Sequence, residues 1–218
     1  MENLEVRTKH QYIDNFTYKS NDKYLILGTI HPHKVDNFKL DFFYGNKNTL
    51  WSIIEKATNI PLSNKDNILD LLIQNNIWIS DMISKCSRKK DDVTADKELF
   101  ALELNDQIRE GLENSEIEKI FFTSAFEKNN AAKLFIDNFN IEYKSTYDEE
   151  IREFIIPKDI FGREIIGVVL FSPSNQANRG ISNNKVFLSQ KKQLGNENLK
   201  VNEFKVNFYR KKFHFLKY

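Results

Sequence analysis

The sequence predicts an α/β fold, a three-layer α/β/α sandwich around a central, mostly parallel four-stranded sheet. Three observations carry that reading. Short, unbroken apolar runs at 24–27, 120–122 and 165–171 read as strands buried on both faces, the mark of a parallel sheet. Segments with helical spacing separate the runs, and strands alternating with helices connect as parallel crossovers. No internal repeat, Gly/Ser linker or low-complexity tract divides the 218 residues, so a single domain over 1–218 is expected, with a basic helical segment at about 199–218.

Taken in order, the first strand is Tyr24-Leu25-Ile26-Leu27. Leu50, Ile53, Ile54 and Ala57 then follow the spacing i, i+3, i+4, i+7 of a helix, with Asn48 or Thr49 placed to cap it. Phe100, Leu104, Ile108 and Leu112 recur every fourth residue and predict a second helix. A third is expected over 126–138, packing Ala132, Leu134 and Phe135, and Ile141-Glu142-Tyr143 is a weaker fourth strand. The turn residues Phe161-Gly162-Arg163 allow a hairpin between Phe154-Ile155-Ile156 and Ile165-Ile166. A basic helix bearing aromatics is expected over 199–215.

Composition excludes several classes of function. The single cysteine, Cys86, rules out an intramolecular disulfide and any four-cysteine zinc or iron–sulfur site, and no dyad partner marks it as a nucleophile. No apolar run approaches the roughly 18 residues that cross a bilayer. The N-terminal residues lack the pattern of a signal peptide, so a cytoplasmic, metal-free and cofactor-free protein is expected. A net charge of +1 argues against indiscriminate coating of nucleic acid. Basic residues do cluster at Lys85, Arg88, Lys89 and Lys90, and along 200–217, but such runs are commonly solvated faces.

In a parallel sheet, ligands bind beyond the carboxyl ends of the strands. The first strand ends in Gly28-Thr29-Ile30-His31-Pro32-His33, a turn that presents two imidazoles. Next comes Phe42-Phe43-Tyr44-Gly45-Asn46-Lys47-Asn48-Thr49-Leu50-Trp51, aromatics beside a polar turn into a helix. The last strong strand ends in Phe171-Ser172-Pro173-Ser174-Asn175-Gln176-Ala177-Asn178-Arg179-Gly180, rich in hydroxyl and amide groups.

Four of these stretches resemble, in order, motifs of the uracil-DNA glycosylase superfamily. Gly28-x-x-His31-Pro32 resembles its first motif, with His31 standing where the family carries Asn or Asp. The segment from Phe43 to Trp51 resembles the hypoxanthine-DNA glycosylase and mismatch-specific branches. Ile79-Ser80-Asp81-Met82-Ile83 with Cys86-Ser87-Arg88 resembles the Trp-Asp-Val…Cys-x-Arg stretch of the same branch. Ser172-Pro173-Ser174 with Ala177-Asn178-Arg179 resembles the second motif, a loop pressed into the DNA minor groove.

The resemblance implies a monomeric, monofunctional DNA glycosylase that hydrolyses the N-glycosidic bond of a flipped hypoxanthine or uracil, with DNA as partner and no metal or cofactor. It places His31 and Asn48 as candidate catalytic residues, to hold the water or bond the leaving base, although Asn48 suits a helix cap equally well. Gly28, Thr29, Phe43 and Tyr44 would form the base pocket, and Ser172, Ser174, Asn178 and Arg179 the DNA contact. His33 is less well placed, Ser124 and Lys128 are weaker backbone contacts, and Asp81 is read as structural, a cap or a partner of Arg88. The rival readings are a glycosylase for another modified base, for example in foreign DNA, and a non-catalytic DNA-binding member of the same fold. A nucleotide-binding enzyme is disfavoured by the lack of a Gly-x-Gly-x-x-Gly or P-loop pattern.

Overall fold

The computed structural model describes residues 5–36, 38–46 and 50–217. Strands β1 (Val6–Lys9) and β2 (Tyr24–Gly28) precede helices α1 (Leu50–Thr58) and α2 (Lys65–Gln74). Strands β3 (Ile77–Asp81), β4 (Ile83–Arg88) and β5 (Phe100–Leu104) lead to α3 (Gln107–Asn114), β6 (Lys119–Phe122) and α4 (Ala131–Phe139). The chain closes with β7 (Glu153–Ile156), the single turn α5 (Lys158–Phe161), β8 (Ile165–Val169), and helices α6 (Asn178–Ile181), α7 (Lys185–Gln193) and α8 (Val201–Lys212).

The main sheet has five strands in the order β3-β2-β6-β8-β7, not four. The first four run parallel, and β7 closes one edge antiparallel to β8 with Phe154 opposite Gly167. The predicted hairpin is therefore present, and Ile141-Glu142-Tyr143 forms no strand. There Ile141 fills the core while the Tyr143 ring stacks on Phe126 at 4.4 Å. The strand that the sequence hid is β3, buried along its whole length although it ends in Ser80 and Asp81.

The pleat sends alternate side chains to opposite faces, and both faces are covered by helices. Ile26, Phe121 and Val168 join a cluster with Trp51 and Ile54 of α1, Ile68 and Leu71 of α2, and Phe204 and Phe208 of α8. Leu25, Leu27, Ile120 and Phe122 pack against Ile108 and Leu112 of α3 and Ala132 and Phe135 of α4. The architecture is mixed α/β, with a mostly parallel sheet between two helical layers.

Two helix predictions need correction. Phe100 and Leu104 lie on β5, paired to Ser87 and Ile83 of β4, so the every-fourth spacing ran across two elements. The helix begins only after Asn105, whose side chain accepts the Gln107 N–H. The helix expected from 126 starts at Ala131, where the Ser124 hydroxyl accepts the first N–H and Asn129 takes a left-handed φ of 61°. By contrast, α1 begins at Leu50 with Leu50, Trp51, Ile54 and Ala57 buried, but its predicted cap, Asn48 or Thr49, falls outside the described residues.

A second, three-stranded antiparallel sheet, β1-β4-β5, flanks the site. Met82 N–H and Ile83 N–H bond to the carbonyls of Gly28 and Thr29, carrying the β2–β3 pairing one step further before the chain departs into β4. This detour brings His10, just past β1, against the ends of the parallel strands. Among the described residues no helix is long and apolar enough to cross a membrane.

Candidate active site

An open cleft of about 860 Å³ lies where the four parallel strands end. Thr29 follows β2, Asp81 ends β3, Thr123 and Ser124 follow β6, and the stretch from Leu170 to Ser174 follows β8. The cleft thus lies where ligands of parallel sheets bind, beyond the carboxyl ends of the strands.

Asp81 is 4% exposed, and its Oδ2 accepts a 2.7 Å hydrogen bond from His10 Nε2. The other imidazole nitrogen, Nδ1, accepts the backbone N–H groups of Tyr12 and Ile13, so the ring proton sits on Nε2 and points at the carboxylate. Asp81 Oδ1 is buried and accepts no hydrogen bond from any described residue. Buried carboxylate oxygens are normally satisfied, so this one is left open to a donor from outside the described residues. The predicted pairing of Asp81 with Arg88 is replaced by His10, a residue that no sequence signal marked.

Gly28 lies opposite Asp81 in the β2–β3 register. A Cβ built on Gly28 would collide with Tyr44 Oη and Asp81 Oδ1, so glycine here lets those two groups converge. The Tyr44 hydroxyl makes a 2.8 Å hydrogen bond with Thr123 Oγ1, and burial holds it protonated, far above the ordinary phenol range. Tyr44 adopts φ 56°, a strained value for an aromatic residue. Its neighbour Phe43 is buried against His10 and Tyr12, and the Phe43 carbonyl is fixed by Trp51 Nε1 at 2.7 Å. Phe42 is buried in the core.

His31 is 6% exposed and lines the cleft, but both of its nitrogens serve the backbone. Nδ1 donates to the Pro32 carbonyl at 2.6 Å, and Nε2 accepts the Gln11 N–H at 3.0 Å. Burial, helped by the neighbouring His10, lowers its pKa to about 4, so it is neutral at physiological pH. Arg88 secures this turn. Its three nitrogens donate to Thr8 Oγ1 and to the carbonyls of Val93 and His31, which explains why an arginine follows Cys86 by two residues. Cys86 itself is buried on β4, and burial raises its thiol pKa.

A second carboxylate, Asp96, lines the same cleft. Its Oδ2 accepts the Thr29 hydroxyl at 2.9 Å, and Thr29 Oγ1 also lies 3.0 Å from Ser124 Oγ. Burial, reinforced by the charge of Asp81, pushes the Asp96 pKa up to about 6. Nothing in the sequence distinguished this aspartate from its neighbours in a charged loop.

The Ser172-Pro173-Ser174 loop is held from beneath by α8. Lys205, 1% exposed, donates from Nζ to the Ser174 carbonyl at 2.9 Å, and Tyr209 Oη donates to the Phe171 carbonyl at 2.9 Å. Burial lowers the Lys205 pKa to about 8. Arg210 bonds the Ala57 carbonyl and Lys212 pairs with Glu153, so several cations of this basic helix are spent inside the molecule.

The structure brings Thr29, His31, Phe43, Tyr44, Ser172 and Ser174 to one cleft, with Gly28 directly behind Tyr44. Asn178 and Arg179 follow on α6 but do not line it, and Asn178 Nδ2 bonds Asn202 of α8 instead. His33 turns away to Thr8, Ser124 lines the cleft, and Lys128 does not. Asn48 lies outside the described residues. His10, Asp96, Arg152 and Lys205 were missed as site residues, because each depends on contacts between segments far apart in the chain. Among the described residues no group of three His, Cys, Asp or Glu side chains converges as a metal site. Comparison with protein-family models and with curated proteins gives no match.

Proposed function

We propose that this protein is a DNA glycosylase, hydrolysing the N-glycosidic bond of a deaminated base flipped into the cleft. One observation carries the reading. Segments around residues 29, 44, 81 and 172, which sequence resemblance singled out separately, line a single cleft at the strand ends. Cleaving the bond sends the C1′–N electron pair to the base, joins a water oxygen to C1′, and releases a proton from that water. Asp81 Oδ1, buried and without a protein donor, suits the water and its proton, while His10 holds Oδ2 in place. This moves the water-activating role away from His31, whose two nitrogens are engaged.

In this reading the ring of Tyr44, backed by the buried Phe43, faces the flipped base, and the clamped Ser172-Pro173-Ser174 loop meets the DNA backbone. The test is alkali-dependent cleavage of labelled oligonucleotides carrying uracil, hypoxanthine, xanthine or a mismatched thymine. Cleavage of at least one substrate, only after alkali, is expected. No cleavage of any of them, with DNA binding intact, overturns excision of these bases.

A further inference from the structure

Arg152 is a buried cation with an unused fork of donors. It is 8% exposed, lines the cleft, and lies with its guanidinium 4.2 Å over the Phe171 ring. Its Nε donates to the Val169 carbonyl at 2.7 Å, while the two Nη groups bond no described residue. No carboxylate lies within ion-pair distance of it among the described residues. Glu149, whose charge reaches it, lies 3.7 Å from Lys185 at the surface, and the neighbouring phenols Tyr147 and Tyr209 are held neutral by burial.

The two Nη groups open onto the cleft rather than being sealed within the protein, so their partner must come from the cleft itself. The backbone is also strained here. Seven described non-glycine residues have positive φ, four of them asparagines that tolerate it; of the remaining three, Tyr44 and Arg152 both line the cleft. Strain and an unpaired charge at one residue both point to a ligand.

The placement selects its chemistry. Asp81 and Asp96 stand at the β3 and β2 side of the cleft, and Arg152 enters from the opposite edge, just before β7. N-glycosidic cleavage leaves positive charge on the sugar and negative charge on the base, so this polarity orients sugar toward the carboxylates and base toward the guanidinium. Arginine forks bind bidentately to an adjacent oxygen and nitrogen acceptor pair, such as O6 and N7 of an oxo-purine or O2 and the deprotonated N1 of a departing uracil anion.

We propose that Arg152 binds the oxo edge of the flipped base and takes up its charge as it departs, restricting the substrates to bases bearing a ring carbonyl. The proposal rests on the glycosylase reading and gives that site its substrate class. The test uses the full-length protein titrated with free 5-fluorouracil, with free hypoxanthine, and separately with inorganic phosphate. The Arg152 Nε–H resonance of the wild type is followed by NMR, and affinities of wild type, Arg152→Lys and Arg152→Gln by calorimetry.

Either base should move the resonance, and both substitutions should weaken its binding at least tenfold with the fold retained by circular dichroism. The wild-type resonance decides the matter even if a variant unfolds. Movement with phosphate alone, or with no probe, overturns the proposal. If bases bind through Arg152 but no oligonucleotide loses its base, the pocket stands and the excision reading falls.

Discussion

His31 and Asp96, both lining the cleft, should respond to acid in opposite directions. The imidazole has a pKa of about 4 in the folded protein against 6.5 when free, because burial penalises its charged form. As pH falls from 7 to 4 the unfolded chain takes up a proton that folded His31 refuses. The native state therefore loses stability through that window, by roughly 3 kcal/mol at about 1.4 kcal/mol per pH unit. Asp96 stands at about 6 against an ordinary 3.8, also because of burial. Its folded state holds a proton that the unfolded chain gives up, so the native state regains roughly 3 kcal/mol as pH falls from 6 to 3.8.

The two effects nearly cancel in the wild type, and single substitutions separate them. Urea denaturation at pH 7, 6, 5 and 4, followed by fluorescence of buried Trp51 and Trp78, gives stability differences from which other titrating groups drop out. The stability of His31→Gln minus that of wild type should rise by roughly 3 kcal/mol between pH 7 and 4. For Asp96→Asn the same difference should fall by roughly 3 kcal/mol over that range. A flat difference for His31→Gln would show that the folded protein protonates His31 freely, and would refute the account of a buried, doubly bonded imidazole.

Three further substitutions probe how the site is held. Gly28→Ala drives a methyl group into Tyr44 Oη and Asp81 Oδ1, so chemical denaturation should show a loss of about 1–3 kcal/mol, with base release falling further than stability alone explains. Tyr209→Phe leaves the buried Phe171 carbonyl without its donor and should cost about 1–3 kcal/mol at neutral pH. Lys205→Met removes a cation whose pKa burial lowers from 10.5 to about 8, a penalty of roughly 3 kcal/mol below pH 8, at the expense of one hydrogen bond worth about 1 kcal/mol. That variant should melt higher at pH 7 yet bind a duplex containing an abasic site more weakly in a gel-shift assay, since the Ser174 loop loses its clamp.

What was legible in the sequence was local. The runs 24–27, 120–122 and 165–171 announced β2, β6 and β8, because strands buried on both faces need unbroken apolar residues. The spacing of Leu50, Ile53, Ile54 and Ala57 announced α1. β3 was hidden because its last residues are polar, Ser80 accepting a bond from Asn105 and Asp81 lining the cleft. β5 was misread because a five-residue strand and the following helix happened to share a four-residue spacing.

The same division holds at the cleft. Tyr44, His31 and Ser172 were visible from the turns that carry them, whereas the unpartnered oxygen of Asp81 exists only once His10, 71 residues away, has taken the other one. Lys205 looked like part of a solvated basic face, and only the folded loop above it makes it a buried clamp. Arg152 was unreadable because its significance lies in the absence of a partner among the described residues, which no linear pattern encodes.

The measurement that tests the central claim most directly is mass spectrometry of the small product released from duplexes containing uracil or hypoxanthine, comparing wild type with Asp81→Asn. The account predicts a free base and an otherwise intact strand bearing an abasic site, with release slowed about a hundredfold or more in Asp81→Asn. Release of a nucleoside or nucleotide, or an Asp81→Asn variant as fast as the wild type, would contradict it.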